Sequence, residues 1–153
     1  MLAVVQRVNS ARCFVNGKLT GSIARGIVTF IAVGKNDEVK DAQWMVKKIV
    51  NLRLFNDDNY NKMNLSLLQI GGEILLIPQF TLYGDCRKGY RPSFSQAAPS
   101  EVARVMFSKI VDLLKEYPVK VATGVFGARM QIEVENEGPV TLIISSDDKF
   151  GRI

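Results

Sequence analysis

The chain has 153 residues, of which 47% are hydrophobic and 23% charged, a composition that excludes an intrinsically disordered protein and predicts one globular domain, residues 1–153. The formal net charge of +5 favours a polyanionic partner only weakly, and no apolar run is long enough to span a membrane. The chain contains no histidine, which excludes a Ser-His or Cys-His nucleophile pair and a histidine-bound zinc ion.

The first 34 residues have the pattern of β-strands. Residues 2–8 form the first predicted strand, and Asn16-Gly17 marks the turn of a hairpin that follows it. Residues 26–34 form an apolar run long enough for a strand that is buried on both faces. The chain is therefore predicted to begin with a group of neighbouring strands.

Two segments have apolar residues at helical spacing. The first helix is predicted over residues 38–54, with Asn36 and Asp37 as candidate N-caps. The second is predicted over residues 100–117, with Ser100 as its N-cap. Its apolar stripe, which is typical of a core-facing surface, consists of Val102, Val105, Met106, Ile110, Leu113 and Leu114.

The segment between the two helices contains an interrupted strand and a basic loop. Residues 74–77 predict a buried strand, which Pro78 breaks because proline has no N–H to donate to a sheet ladder. A strand-like pattern resumes at residues 79–82. Residues 84–100 then contain two glycines, two prolines and three basic residues, which is typical of a long functional loop.

The last third of the chain predicts a hairpin. Met130, Ile132 and Val134 alternate with polar residues, which indicates a half-buried strand. Residues 136–138 are predicted to turn the chain, and residues 139–145 to run back as a second strand. The predicted fold class is α+β, with a sheet-rich, mainly antiparallel, barrel-like β core and two helices packed on it.

Four features are candidates for a functional site. They are the strand end at residues 78–81, the Gly-Pro pair at 138–139, the glycine-containing segment 123–130 and the basic loop at 87–92. X-Pro bonds are cis in about 5–6% of folded cases, and glycine lets backbone approach a neighbour closely. In the basic loop, Tyr90 is placed to stack on a nucleic-acid base while the cations beside it bind phosphates. Each feature alone also has an ordinary explanation as a turn, a packing contact or a solvated surface.

The two cysteines and the N-terminus bear on the cellular location. Cys13 and Cys86 are far apart and form no C-x-x-C pair, so we interpret them as free thiols rather than metal ligands or a disulfide. The first 15 residues lack the pattern of a signal peptide. We therefore expect a cytoplasmic protein without a metal site.

Five segments occur in an order that resembles a known family. They are QRV, KMNLSL, PQFTLYGD, KGYRPSFSQAAP and TGVFGARMQIEVENEGPVT. Over residues 1–144 the chain closely resembles the D-aminoacyl-tRNA deacylases. The resemblance implies a cytoplasmic, cofactor-free homodimer that binds the 3′ acceptor end of aminoacyl-tRNA. Its implied activity is hydrolysis of the ester between tRNA and a D-amino acid, or glycine mischarged on tRNA for alanine.

The resemblance also implies the site residues. The family's Ser-Gln-x-x-Leu segment matches residues 78–82, with Pro78 in place of the serine, and its Gly-Pro motif matches residues 138–139. In the family that Gly-Pro bond is cis and enters the partner subunit's site, where it excludes L-amino acids, and the residue matching Arg7 orients it. The catalytic candidates are Gln79, Phe80 and Thr81. The substrate-binding candidates are Arg7, Pro78, Leu82, Phe126, Met130, Gly138, Pro139, Val140 and Thr141.

Two mechanisms and two functions stay open on the sequence. Either the 2′-hydroxyl of the terminal ribose relays the proton while backbone N–H groups stabilise the oxyanion, or Thr81 is the nucleophile. The alternative to an enzyme is a non-catalytic module that binds the tRNA acceptor end. In both functions Arg87, Lys88 and Arg91 are the predicted tRNA contacts.

Overall fold

A mixed β-sheet with two helices forms the framework of the protein. The computed structural model describes residues 1–57 and 62–147, so Asp148 and the rest of the C-terminal tail lie outside the described residues. In chain order the elements are β1 (Leu2–Val15), β2 (Lys18–Ile23), β3 (Gly26–Ala32), α1 (Val39–Asn51), β4 (Arg53–Asn56), β5 (Met63–Ser66), β6 (Glu73–Pro78), a 3-10 helix (Phe80–Tyr83), α2 (Ser100–Lys115), β7 (Lys120–Thr123) and β8 (Met130–Ser145). Neither α-helix in this part of the chain has the length and hydropathy needed to cross a membrane.

Strand β1 organises the sheet. It pairs with β3 through residues 2–8, with β2 through residues 11–15, and with β8 along almost its whole length. Since a strand has only two hydrogen-bonding edges, β8 occupies one edge of β1, and β2 and β3 share the other. The sheet curls so far that a Cβ atom on Gly21 of β2 would lie 2.8 Å from the Thr123 carbonyl of β7. This curl is the barrel-like feature that the sequence predicted.

The prediction of mainly antiparallel pairing is correct for β1 and its partners, but the sheet is mixed because it fails at β6. Strand β6 pairs in parallel with both β3 and β7, while the pairs of β1 are antiparallel. Four consecutive residues of β6, residues 74–77, are completely buried. Ile74 and Leu76 belong to the core under the helices, and Leu75 and Ile77 to a second cluster on the opposite face. Burial on both faces is what a strand with two parallel neighbours requires.

The N-terminus of α1 is capped differently from the prediction. Glu38 is the N-cap, and its backbone N–H donates to Asp41 Oδ2 at 2.9 Å as one half of a reciprocal capping box. Asp37 instead accepts hydrogen bonds from the Met1 ammonium group and from the Gly34 N–H, both at 2.6 Å. The helix ends at Asn51, three residues before the predicted end, because β4 begins at Arg53.

Helix α2 presents a different face to the core from the one predicted. Ser100 is its first helical residue rather than its N-cap, which is Pro99 and makes no side-chain capping bond. Val102 and Val105 of the predicted stripe are 51% and 72% exposed. The buried face is formed by Ala103, Phe107, Ile110, Leu113 and Leu114. The stripe prediction was therefore correct only for the second half of the helix.

The chain does not turn back at residues 136–138, contrary to the prediction. Strand β8 continues through them along β1, with Asn136 opposite Val8 and Thr141 opposite Gln6. Residues 137–140 therefore face only Arg7 and form a four-residue β-bulge, which we call the β8 bulge. A Gly-Pro pair has the local pattern of a turn, and the pairing with β1 holds the strand together on both sides of it.

The strand does not resume after Pro78, which corrects a further prediction. The Gln79 N–H donates to the Ile31 carbonyl at 2.8 Å, and the chain then enters the 3-10 helix Phe80–Tyr83. This change of direction leaves Pro78 and Gln79 at the carboxyl end of a parallel strand. Crevices at such strand ends are common sites of ligand binding in sheets with parallel strands.

Candidate functional site

A cavity of about 570 Å³ lies where β6 ends. One wall is α2, which contributes Ser100, Ala103 and Phe107, and the loop before β8 adds Phe126, Gly127 and Ala128. The walls are mostly apolar, as expected for a pocket that holds a small molecule or a chain end. The predicted site residues that line it are Pro78, Gln79, Phe80, Phe126 and Met130.

The start of the 3-10 helix borders this cavity through Gln79 and Phe80. The Gln79 side-chain amide donates a short hydrogen bond to Thr81 Oγ1. Gln79 accepts the Leu82 N–H on its backbone carbonyl at 3.2 Å. Phe80 and Thr81 start the turn, so their N–H groups precede the first intrahelical hydrogen bond and have no backbone acceptor within the described residues. Thr81 and Leu82 do not line the cavity themselves.

Tight packing behind the cavity explains one of the two glycines in the segment 123–130. A Cβ atom on Gly124 would lie 2.6 Å from Met130 Sδ, 3.1 Å from Ile77 Cδ1 and 3.3 Å from Pro78 Cδ. Met130 Sδ also accepts a hydrogen bond from the Val125 N–H at 3.3 Å. Gly124 therefore lets β7 lie against Pro78 and Met130, and both of these residues line the cavity.

The β8 bulge is clamped by Arg7 and Asn136. Arg7 is 6% exposed, donates from a guanidinium nitrogen to the Leu54 carbonyl at 2.6 Å, and places Nε 3.2 Å from Glu137 Oε2. The Asn136 side-chain amide donates to the carbonyls of Arg7 and Val140, at 2.9 and 3.2 Å. Sequence reasoning missed Asn136, since an asparagine before a Gly-Pro pair is also typical of an ordinary turn.

Within the bulge, the Gly138–Pro139 peptide bond is cis. Gly138 and Pro139 are exposed, whereas Val140 is buried and anchors the bulge to the core. Thr141 Oγ1 accepts a hydrogen bond from the Gln6 side-chain amide at 3.2 Å. The bulge thus projects two uncharged residues from a fixed base.

The cavity and the bulge do not meet within one chain. Arg7 and residues 138–141 are absent from the cavity lining. Met130 pairs with Val15 and Asn136 with Val8, seven residues apart on β1. At the rise of a β-strand, this separation is roughly 23 Å. The structure therefore brings together the residues after β6 with Phe126 and Met130, and it leaves the Gly-Pro group elsewhere.

The three cations of the basic loop differ in whether a neighbouring carboxylate pairs with them. Arg87 donates from its side chain to both carboxylate oxygens of Asp85, at 2.9 and 2.7 Å, and its backbone N–H donates to the same group at 3.0 Å. These hydrogen bonds lower the pKa of Asp85 to about 2. Lys88 and Arg91 are exposed and form no ion pair within the part of the chain that the structure describes. Tyr90 between them is fully exposed.

A second cavity of about 530 Å³ is polar and lies beside α1. It is lined by Asp37, Asp41, Tyr83 and Asp147 among others, and burial raises the pKa of the Tyr83 phenol. Among residues 1–57 and 62–147, no cluster of three histidine, cysteine, aspartate or glutamate side chains is suited to a metal ion.

Comparisons with known proteins give a consistent result. The family model of D-Tyr-tRNA(Tyr) deacylase matches residues 4–145. The D-aminoacyl-tRNA deacylase of Thermosipho melanesiensis is 55% identical over 98% of this chain and 100% of the relative. That of Fervidobacterium nodosum is 52% identical over the same shares.

Solved structures show the same fold. The c-Myc DNA Unwinding Element Binding Protein superposes with a TM-score of 0.90 at 38% identity, covering 95% of this chain and 98% of that one. A probable eukaryotic D-amino acid tRNA deacylase superposes with a TM-score of 0.80 at 20% identity, covering 94% and 97%. The second likeness supports the fold alone.

Proposed function

The chain belongs to the D-Tyr-tRNA(Tyr) deacylase family, and from this premise we propose how it hydrolyses the ester bond between a D-amino acid and tRNA. The observation that carries the proposal is the apolar cavity at the end of β6, beside N–H groups that have no backbone acceptor. The 3′-terminal aminoacyl-adenosine occupies this cavity. Glycine mischarged on tRNA for alanine is a second substrate, since glycine is the smallest aminoacyl group.

The N–H groups of Phe80 and Thr81 bind the oxyanion of the tetrahedral intermediate. Water attacks the ester carbonyl, the bond to the ribose 3′-oxygen breaks, and the free amino acid leaves with the new carboxylate. Backbone donors fixed before the reaction lower the barrier because they do not have to reorganise as charge develops. Gln79 fixes the turn that presents them, through its contacts with Ile31 and Thr81.

The 2′-hydroxyl next to the ester relays the proton from the attacking water to the leaving 3′-oxygen. The chain has no histidine for this task, and the Thr81 hydroxyl oxygen already accepts the Gln79 amide, which weakens it as a nucleophile. A substrate that ends in 2′-deoxyadenosine tests the relay. We expect its hydrolysis to be slower by orders of magnitude, and an undiminished rate would rule out the relay.

Pro78 replaces the family serine without removing a necessary group. Its ring lines the cavity and packs near Gly124, so its contribution is the shape of the site. Pro78→Ser tests this interpretation. A large gain in kcat would show instead that the missing hydroxyl or N–H takes part in the reaction.

The β8 bulge excludes L-amino acids from the cavity of a partner subunit in a homodimer. Its exposed Gly138 and Pro139 lie too far from the cavity of their own chain, and Arg7 and Asn136 hold them in place. A rigid backbone against the α-carbon rejects the L side chain by steric clash rather than by affinity for the D form. Sedimentation analysis tests the dimer, and a monomer that still rejects L-aminoacyl-tRNA would contradict this proposal.

The basic loop binds phosphates of the tRNA acceptor end, mainly through Lys88 and Arg91 because Arg87 is held by Asp85. Each phosphate contact changes the slope of log K against log salt by about 0.7–0.9. Charge reversal at Lys88 and Arg91 should weaken tRNA binding and flatten this slope. An unchanged slope would show that the loop is a solvated surface that contacts no phosphate.

One assay separates the enzyme from a non-catalytic tRNA-binding module. D-Tyr-tRNA and L-Tyr-tRNA are incubated with the protein, and release of tyrosine is followed with time. Release from the D form alone supports the proposal. Retained tRNA binding without release from either form would support the module.

A further inference from the structure

Arg104 lies at the edge of the cavity, although neither its sequence context nor the reaction proposed above gives it a role. It follows Ala103 on α2, and Ala103 and Phe107 line the cavity. The Arg104 guanidinium carbon is 4.9 Å from the centroid of the Phe126 ring. A guanidinium nitrogen also lies 3.7 Å from the Cβ position of Gly127. Phe126 and Gly127 both line the cavity, so the guanidinium lies at its rim.

The Arg104 charge has no carboxylate partner among residues 1–57 and 62–147. Arg104 is exposed, and within the described residues it forms no ion pair, not even with Glu101 one helical turn earlier. In that part of the chain its guanidinium group contacts the Phe126 ring. A guanidinium group has five N–H donors, so the contact with one ring leaves donors available for a ligand.

We propose that Arg104 binds a backbone phosphate of the tRNA 3′ end while the aminoacyl ester occupies the cavity. The inference rests on the proposed function, which places the terminal nucleotide in this cavity. Its phosphate is separated from the ester by one ribose, so the strand must carry phosphates past the rim. A guanidinium group matches phosphate oxygens with two parallel hydrogen bonds, and Phe126 holds it in place before binding. Arg104 is thus a binding residue for the substrate strand.

The test compares two substrates that differ in their phosphates. D-Tyr-tRNA carries phosphates along its 3′ end, whereas the nucleoside ester D-Tyr-adenosine carries none. Arg104→Gln should lower kcat/KM for D-Tyr-tRNA by about 10-fold or more, the effect of one charged hydrogen bond, and leave D-Tyr-adenosine unaffected. The salt slope of kcat/KM for D-Tyr-tRNA should also decrease by about 0.7. Arg104→Lys should restore part of the loss, since it keeps the charge without the planar fork.

Lys109→Gln is the matched control, because it removes the same charge from an exposed position of α2 that does not line the cavity. It should change neither substrate by more than about twofold, in keeping with a surface charge. Equal losses on both substrates with Arg104→Gln would overturn the proposal, because Arg104 would then act by shaping the cavity through Phe126. No loss on either substrate would overturn it as well.

Failure of the proposed function has a different signature. The wild-type protein would then hydrolyse neither substrate. In that case the proposal for Arg104 is decided by the binding of tRNA that carries no amino acid. A lower affinity and a smaller salt slope for Arg104→Gln than for Lys109→Gln would support it. Equal binding by the two variants would refute it.

Discussion

Replacement of Arg7 by methionine tests the clamp on the β8 bulge. Methionine keeps an apolar stem in a buried position and removes the guanidinium group. The lost hydrogen bond from a charged donor to the Leu54 carbonyl should reduce the free energy of unfolding by about 1.5–3 kcal/mol. The ion pair with Glu137 adds at most about 1 kcal/mol, because the Glu137 side chain is 37% exposed and screened by solvent.

Together these contributions predict a loss of about 1.5–4 kcal/mol for Arg7→Met. For a domain of this size, the loss corresponds to a decrease in Tm of roughly 3–16 °C. Glu137→Gln is the control, because it removes the ion pair and leaves the contact between Arg7 and Leu54 intact, so we expect about 1 kcal/mol or less. Urea denaturation of both variants measures the two values.

The same variants report on the function of the bulge. We expect Arg7→Met to hydrolyse L-Tyr-tRNA faster relative to D-Tyr-tRNA, because the cavity is intact while the bulge has lost its support. Two results would refute this reasoning. One is a stability loss for Glu137→Gln equal to that for Arg7→Met. The other is a folded Arg7→Met protein that discriminates between D and L as strongly as the wild type.

Three further variants test the site. Gly124→Ala places a Cβ atom 2.6 Å from Met130 Sδ and should reduce stability by about 1–3 kcal/mol and lower kcat/KM. Addition of Met130→Ala should recover part of that stability in urea denaturation, and independent effects would contradict the packing argument. Thr81→Val should lower kcat by less than about 100-fold if the hydroxyl only positions the turn, whereas complete loss of turnover with retained binding would make it the nucleophile. Asp85→Asn releases Arg87, so the salt slope of tRNA binding, measured by fluorescence anisotropy, should steepen by about 0.7–0.9, and a constant slope would show that Arg87 reaches no phosphate.

The parts of the fold that the sequence predicts correctly have local causes. The Asn16-Gly17 hairpin forms because both residues adopt positive φ angles, 49° and 75°, which these residue types tolerate. The buried strand at residues 74–77 is likewise determined by its own apolar run. Its parallel partners are not, since pairing depends on residues far away in the sequence. A run of four apolar residues is nevertheless typical of a parallel strand, and residues 74–77 contain such a run.

The errors arise where a distant partner decides the structure. Residues 136–138 have the pattern of a turn, and only the pairing of Thr141 with Gln6, 135 residues away, makes residues 137–140 a bulge instead. Asp37 has the pattern of a helix N-cap, but its carboxylate instead accepts a hydrogen bond from the Met1 ammonium group. Short-range patterns contain no information about such partners.

The candidate site likewise contains residues that the sequence predicts and a residue that it does not. Pro78, Gln79, Phe126 and Met130 are predicted by resemblance to the family, and the structure places all four around one cavity. Arg104 gives no signal in the sequence, because an arginine on an amphipathic helix is usually solvated. Only the position of its guanidinium over Phe126 distinguishes it.

The place of the β8 bulge within a paired strand also limits how it can move. A hairpin loop fluctuates on the nanosecond to microsecond scale while its strands stay intact. The bulge instead has ladder pairs with β1 on both sides, up to Asn136 and from Thr141 onwards. The paired amide groups that flank it can exchange with solvent only when a section of the sheet opens, a rarer event than loop motion. Its conformational entropy is therefore lost once, during folding, and not again at each encounter with a ligand.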